Sequence, residues 1–167
     1  MRLSLLRHGI AVEPGSPGYE DDSQRPLTAK GERRVRRAAK GMLALGTSYD
    51  ELVSSPYLRA RQTADIVAQA LSLAEGLRLS PTLAPDGNPR ELLEELRGDR
   101  PATQHIVLVG HEPYLSRLIS TLLTGHQNLP VVLKKGGLCM LDIETLRFGR
   151  CARLAWLLTP RQLRRLA

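Results

Sequence analysis

The sequence predicts an α/β fold, a three-layer α/β/α sandwich around a mostly parallel central sheet with one antiparallel strand. Three observations predict it. Two apolar runs, Leu3-Ser4-Leu5-Leu6 and Ile106-Val107-Leu108-Val109, do not alternate with polar residues and so read as strands buried on both faces. Between them, strand-like and helix-like segments follow one another, the pattern of a sheet covered by crossover helices. Near the C-terminus, two strand-like segments at 137–143 and 152–157 are separated only by a turn, which places a β-rich end on the sheet.

In chain order, the first strand stops at Arg7-His8-Gly9, and residues 11–24 form a loop rich in Gly, Pro and acidic side chains. A loop of that length in a compact domain is expected to be a lid or binding loop. Thr28 suits the N-cap of the next helix, and Gly46 lies just past its end. Residues 51–54 read as a short strand, and Ser55-Pro56-Tyr57 leads into a helix with apolar positions Ala64, Val67, Ala68 and Leu71. A third strand is expected at 77–80, a turn at Asp86-Gly87-Asn88-Pro89, and a short helix at 90–96. The second apolar strand ends in Gly110-His111-Glu112-Pro113, with Pro113 opening a helix over 114–123, and Pro160 opens a last, basic helix.

The 167 residues fit a single domain, 1–167, with 42% hydrophobic and 25% charged residues, as in soluble globular proteins. No apolar run is long enough to span a membrane, and the N-terminal run is too short for a signal peptide, so a cytoplasmic location is expected. Cys139 and Cys151 show neither metal nor redox spacing, and both are expected as buried free thiols in strands. No zinc-type spacing occurs, and neither metal nor cofactor is expected. The net charge of +7 sits in two places: six basic residues against Glu32 in 30–40, and three arginines in 161–165. In the first stretch they surround the apolar line Val35, Ala38, Met42 and Leu45, as on a solvated helix face. With only 4% aromatic residues, stacking on nucleic-acid bases is poorly supplied, and nucleic-acid binding is disfavoured.

If the two apolar strands are parallel neighbours, His8 and His111 emerge at the same sheet edge, where α/β folds bind ligands. Arg7 arrives with His8, and Ser54-Ser55-Pro56 leads to Arg59 and Arg61 at the same edge. Guanidinium forks and helix N-termini there make a pocket for a dianion such as phosphate. Lys134 and Lys135 are expected to be solvated turn residues, and His105 and His126 lack the glycine-flanked strand-end setting.

Four stretches in order, Leu6-Arg7-His8-Gly9, Arg25-Pro26-Leu27-Thr28, Val53 through Ala64 and Val109-Gly110-His111-Glu112-Pro113, resemble the histidine phosphatase superfamily, and among its members the small SixA-type phosphohistidine phosphatases. The resemblance implies the phosphoglycerate mutase-like fold and a metal-independent phosphatase working through a phosphohistidine intermediate. It implies that His8 is the nucleophile, that Arg7 and Arg59 clamp phosphoryl oxygens, and that His111 donates to the same oxygens, best as a cation. Arg25 is expected to touch substrate or to fix the loop. The general acid of larger members has no clear counterpart; Asp22 is the candidate, with Asp21 and Glu112 behind it. The implied substrate is phosphohistidine on a partner protein. The alternatives are a phosphomonoesterase acting on small esters or phosphoproteins, and a non-catalytic phosphate- or nucleic-acid-binding module.

Overall fold

A computed structural model describes residues 1–73, 75, 77–97 and 104–167. The strands are β1 (Arg2–Arg7), β2 (Glu51–Ser54), β3 (Leu77–Leu79), β4 (His105–Gly110), β5 (Leu138–Ile143) and β6 (Ala152–Leu158). The helices are α1 (Ala29–Ala44), α2 (Leu58–Ala70), α3 (Pro89–Leu96), α4 (Tyr114–Thr124) and α5 (Pro160–Leu166). All six strands join one sheet in the order β3-β2-β4-β1-β5-β6. β1 to β4 are mutually parallel, β5 runs against β1, and β6 runs against β5 and therefore along β1.

The two unalternated apolar runs are the central pair. Side chains of successive strand residues point to opposite faces, so Leu3 and Leu5 enter one core while Leu6 enters the other. The first core lies under α3 and α4 and takes Ile106 and Leu108; the second lies under α1, α2 and α5 and takes Val107 and Val109. Helices thus cover both faces, as the sequence predicts. Arg7 pairs with Gly110 in the β1–β4 register, which brings His8 and His111 to one edge.

Local signals set the boundaries. Thr28 caps α1 by accepting the Gly31 N–H at 3.0 Å, and Gly46 follows the helix at φ +63. Pro56 disfavours helix at Ser55, and α2 itself begins at Leu58. Thr159 and Gln162 form a capping box at the start of α5. One expectation is corrected: Cys139 is buried in β5, but Cys151 precedes β6, is only half-buried, and donates its thiol to the Arg147 carbonyl. Cys151 thus lies in the turn between β5 and β6, one residue ahead of the strand.

Two glycines let α1 approach its neighbours. A Cβ on Gly31 would stand 2.0 Å from the Ile10 carbonyl oxygen, and one on Gly41 would stand 1.9 Å from the Leu163 carbonyl oxygen. Neither obstacle is a flexible side-chain tip. Gly41→Ala is expected to push α5 off α1 and to lower stability by about 1–3 kcal/mol despite the better helix propensity of alanine. Urea unfolding followed by circular dichroism checks this; an unchanged midpoint would mean that α5 yields freely.

Candidate active site

The site is built at the C-terminal edge of β1 and β4. His8 and His111 face each other with ring centroids 5.1 Å apart, and both are buried. His8 Nδ1 lies 2.7 Å from the Gly9 carbonyl oxygen. A carbonyl only accepts, so Nδ1 carries the proton and Nε2 of the neutral ring keeps its lone pair. Backbone bonds lock the turn: His8 N donates to the Gly110 carbonyl at 3.1 Å, and Gly136 N donates to both the Arg7 and the His8 carbonyls at 2.9 and 3.1 Å.

Arg7 sits beside His8 with Nη1 donating to the Leu133 carbonyl at 3.0 Å. Arg59, in the first turn of α2, packs its guanidinium 5.1 Å from the Tyr57 ring, and Tyr57 meets His111 edge-on at 5.2 Å. His111 Nε2 is 2.8 Å from Ser55 Oγ. Thr63 ties the two halves: its Oγ1 accepts from Gly9 N at 3.1 Å and donates to the Arg59 carbonyl at 2.7 Å. Sequence reasoning missed Thr63, although it lies one turn from Arg59 on the same helix face; it also missed the bonding role of Ser55.

Three buried polar atoms around the histidines, Arg7 Nε, Arg59 Nε and His111 Nδ1, have no partner among the described residues. Unpaired buried polar atoms are costly, so three in one place mark a site that a polar ligand completes. Burial, the neighbouring His111 and the two arginines push His8 down to about 2. Burial and the field of Arg59, followed by Arg7 and Arg25, push His111 down to about 3, with Asp22 opposing. These surroundings favour the neutral ring of His111; the expectation that it donates best as a cation concerns the phosphate-bound site. A bound dianion reverses the field and favours proton uptake.

The same burial makes stability depend on pH. The unfolded histidines bind protons below about 6.5 and the folded ones do not, so stability is full above that value and falls as pH drops toward 3. His105, lowered chiefly by burial, acts in the same direction. The urea midpoint is expected to fall between pH 7 and pH 5, with each histidine contributing at most about 1.4 kcal/mol per pH unit. His111→Asn should flatten the slope; an unchanged slope would mean that this histidine already binds a proton when folded.

Asp22 lies in the acidic loop, in a 3₁₀ turn over Asp22–Gln24. Arg59 Nη1 donates to its carbonyl at 2.7 Å and Nη2 to its Oδ2 at 2.9 Å. Arg25 Nε donates to Oδ1 at 2.7 Å, and its Nη1 donates to the Val12 carbonyl. Burial opposes ionisation of Asp22, but the bonds from Arg25 and Arg59 outweigh it and hold the carboxyl below its ordinary range. Asp22, the candidate general acid, is thus held as a carboxylate by two guanidiniums. Arg25 is buried and serves to hold the loop.

Of the remaining candidates, Glu112 follows His111, and its field opposes the burial that pushes the Arg7 guanidinium down; the others lie outside this constellation. Arg61 and Lys134 are exposed, and the Lys135 amine is 3.9 Å from Glu13. Glu112 accepts from Ser116 Oγ at 2.5 Å, and Asp21 caps the 3₁₀ turn. His105 is satisfied by Ser4 Oγ and the Ser48 carbonyl, and His126 lies in the exposed loop after α4. Among the described residues, no helix is long and apolar enough to cross a membrane.

Comparison with known proteins agrees with this fold. The structure of a protein histidine phosphatase SixA complexed with tungstate shares the fold, with a TM-score of 0.83 at 23% identity over 98% of this chain and 99% of that one. The phosphohistidine phosphatase SixA of Escherichia coli is 28% identical over 128 residues, covering 75% of this chain and 76% of its own. An uncharacterized protein of Picosynechococcus sp. is 37% identical over 139 residues, covering 83% of this chain and 82% of its own. Residues 3–84, from β1 through the turn after β3, match the family model of the histidine phosphatase superfamily (branch 1). With the family matched from the first strand and similarity extending over most of the chain, the protein belongs to the histidine phosphatase superfamily and is a phosphatase.

Proposed function

We propose that this phosphatase hydrolyses phosphohistidine carried by a partner protein, with the 167 residues acting as one catalytic domain and His8 as the nucleophile. The single observation that carries the substrate assignment is the state of Asp22. The acidic group expected to protonate a leaving alkoxide is ionised and bound by two guanidiniums. An alkoxide leaving group needs a proton donor, whereas a substrate imidazole already protonated on its other nitrogen leaves as neutral imidazole. The name of the Escherichia coli relative, phosphohistidine phosphatase, supports the same substrate class.

In the proposed reaction Nε2 of His8 attacks phosphorus in line. The bond from phosphorus to the substrate nitrogen breaks, and its electron pair stays on the departing imidazole. Water then attacks the phosphorylated His8, the new P–N bond breaks, and orthophosphate leaves. Arg7, Arg59 and His111 stabilise the equatorial oxygens, which supplies the positioning and charge compensation that phosphoryl transfer requires. Ser55 Oγ engages Nε2 of His111, which leaves the unpartnered Nδ1 as the nitrogen for this role.

The test compares a histidine-phosphorylated protein with p-nitrophenyl phosphate, both with EDTA present. The expected kcat/KM is at least about a hundredfold higher on the phosphohistidine protein, equivalent to some 3 kcal/mol of transition-state discrimination. Faster turnover of the ester would overturn the assignment and favour a phosphomonoesterase.

A further inference from the structure

The two basic stretches, more than a hundred residues apart in sequence, form one face. α1 packs along α5, with Gly41 against the Leu163 backbone, and burial together with the neighbouring Arg34 and Arg37 pushes the Arg164 guanidinium down. The two helices carry nine lysines and arginines against one carboxylate, Glu32. Among the described residues, the only ion pair on this face is Arg36 with Glu32 at 4.0 Å. Arg33, Arg34, Arg37, Lys40, Arg161 and Arg165 are exposed, so the face presents like charges with almost no counter-charge of its own.

This face adjoins the active site. β1 and β6 run in the same direction, and Leu158 is level with Leu6 through their shared neighbour Leu138. α5 therefore starts at the edge that holds His8. α1 starts there too, since Thr28 N donates to the Ile10 carbonyl at 2.9 Å. One crevice is lined by Gly9 and Gly136, which adjoin the site, by Lys135, and by Arg34 and Arg164 from the helices.

We propose that the α1–α5 face docks an acidic surface of the phosphorylated partner protein; this rests on the phosphohistidine-protein substrate proposed above. A protein whose phosphorylated side chain enters the site must cover the adjoining surface, and a field of this sign draws an acidic one. Neither helix carries an aromatic side chain for stacking on nucleic-acid bases. For lipid insertion, the apolar line of α1 is unavailable because Val35, Ala38 and Met42 are buried in the core.

The test uses Arg34→Glu/Arg37→Glu/Arg164→Glu, with an acidic carrier protein phosphorylated on histidine and free phosphohistidine as substrates, at about 0.15 M salt. Arg34 and Arg37 are exposed and Arg164 is half-buried, and none of the three is a partner of Arg7, His8, Arg59 or His111. On the carrier, kcat/KM is expected to fall at least about tenfold through KM, and its salt dependence to flatten. On free phosphohistidine it stays within about twofold, which also shows that the variant is folded. The neutral triple variant to Gln should fall between the two. Equal rates of variant and wild type on the carrier overturn the docking proposal while leaving the substrate assignment standing. Wild-type inactivity on both phosphohistidine substrates overturns the substrate assignment, and the docking proposal with it. Charge-dependent binding of duplex DNA or anionic vesicles, with carrier turnover unaffected, assigns the face to those partners and overturns it as well.

Discussion

His8→Ala is expected to lower kcat/KM by at least about a thousandfold on any phosphorylated substrate, while orthophosphate still binds within a few-fold of wild type. The split follows from the geometry. His8 contributes a lone pair, because its Nδ1 proton is held by the Gly9 carbonyl and burial keeps the ring neutral. The charges that hold a dianion belong to Arg7 and Arg59, with the buried His111 beside them. A rapid quench of wild type with ³²P-labelled phosphohistidine substrate should trap a phosphoenzyme that is labile in acid and stable in alkali, as a P–N bond is. His8→Ala should trap none. Turnover within tenfold of wild type, or an unchanged label, would move the nucleophile elsewhere; loss of phosphate binding together with turnover would give His8 a structural role.

Much of this was legible in the sequence for a definite reason. A strand without polar alternation must be covered on both faces, and parallel neighbours of that kind need crossover helices, so the runs ending at His8 and His111 could be placed side by side. The observed register of Arg7 with Gly110 is that arrangement. The boundaries of α1 were legible because Thr28 and Gly46 each answer a local backbone need. Arg59 was legible as a strand-end, first-turn residue.

Features that depend on the path of a loop or on burial were not legible. Nothing in the order of Asp21, Asp22 and Arg25 says that one carboxylate turns inward onto Arg59; the 3₁₀ turn and the bond from Arg25 decide it. The downward push on His111 follows from burial and then from the neighbouring guanidiniums, which no single segment encodes. Cys151 was misplaced because strand propensity does not locate the end of a turn. The first basic helix read as a solvated face and the last only as basic, and the approach of Gly41 to the Leu163 backbone makes them one surface.

Arg59→Ala is expected to lower kcat/KM by about 10²- to 10³-fold, the usual loss when one oxyanion donor is removed from a buried site. Arg59→Lys should recover little, since an ammonium cannot reproduce the planar fork that now meets both the carbonyl and the carboxylate of Asp22. Asp22 makes the prediction sharper. Its carboxylate holds the donors that a phosphoryl group would use, so phosphate must displace it, and affinity is reduced by the fraction of time the arginine is occupied. Asp22→Asn removes the competing charge and is expected to tighten orthophosphate binding several-fold, with kcat on phosphohistidine unchanged. An acid catalyst would behave in the opposite way: the same variant would lose turnover of esters and gain no affinity. Isothermal titration of wild type, Arg59→Ala and Asp22→Asn with orthophosphate separates the two, because competition requires the arginine and the aspartate to shift affinity in opposite directions.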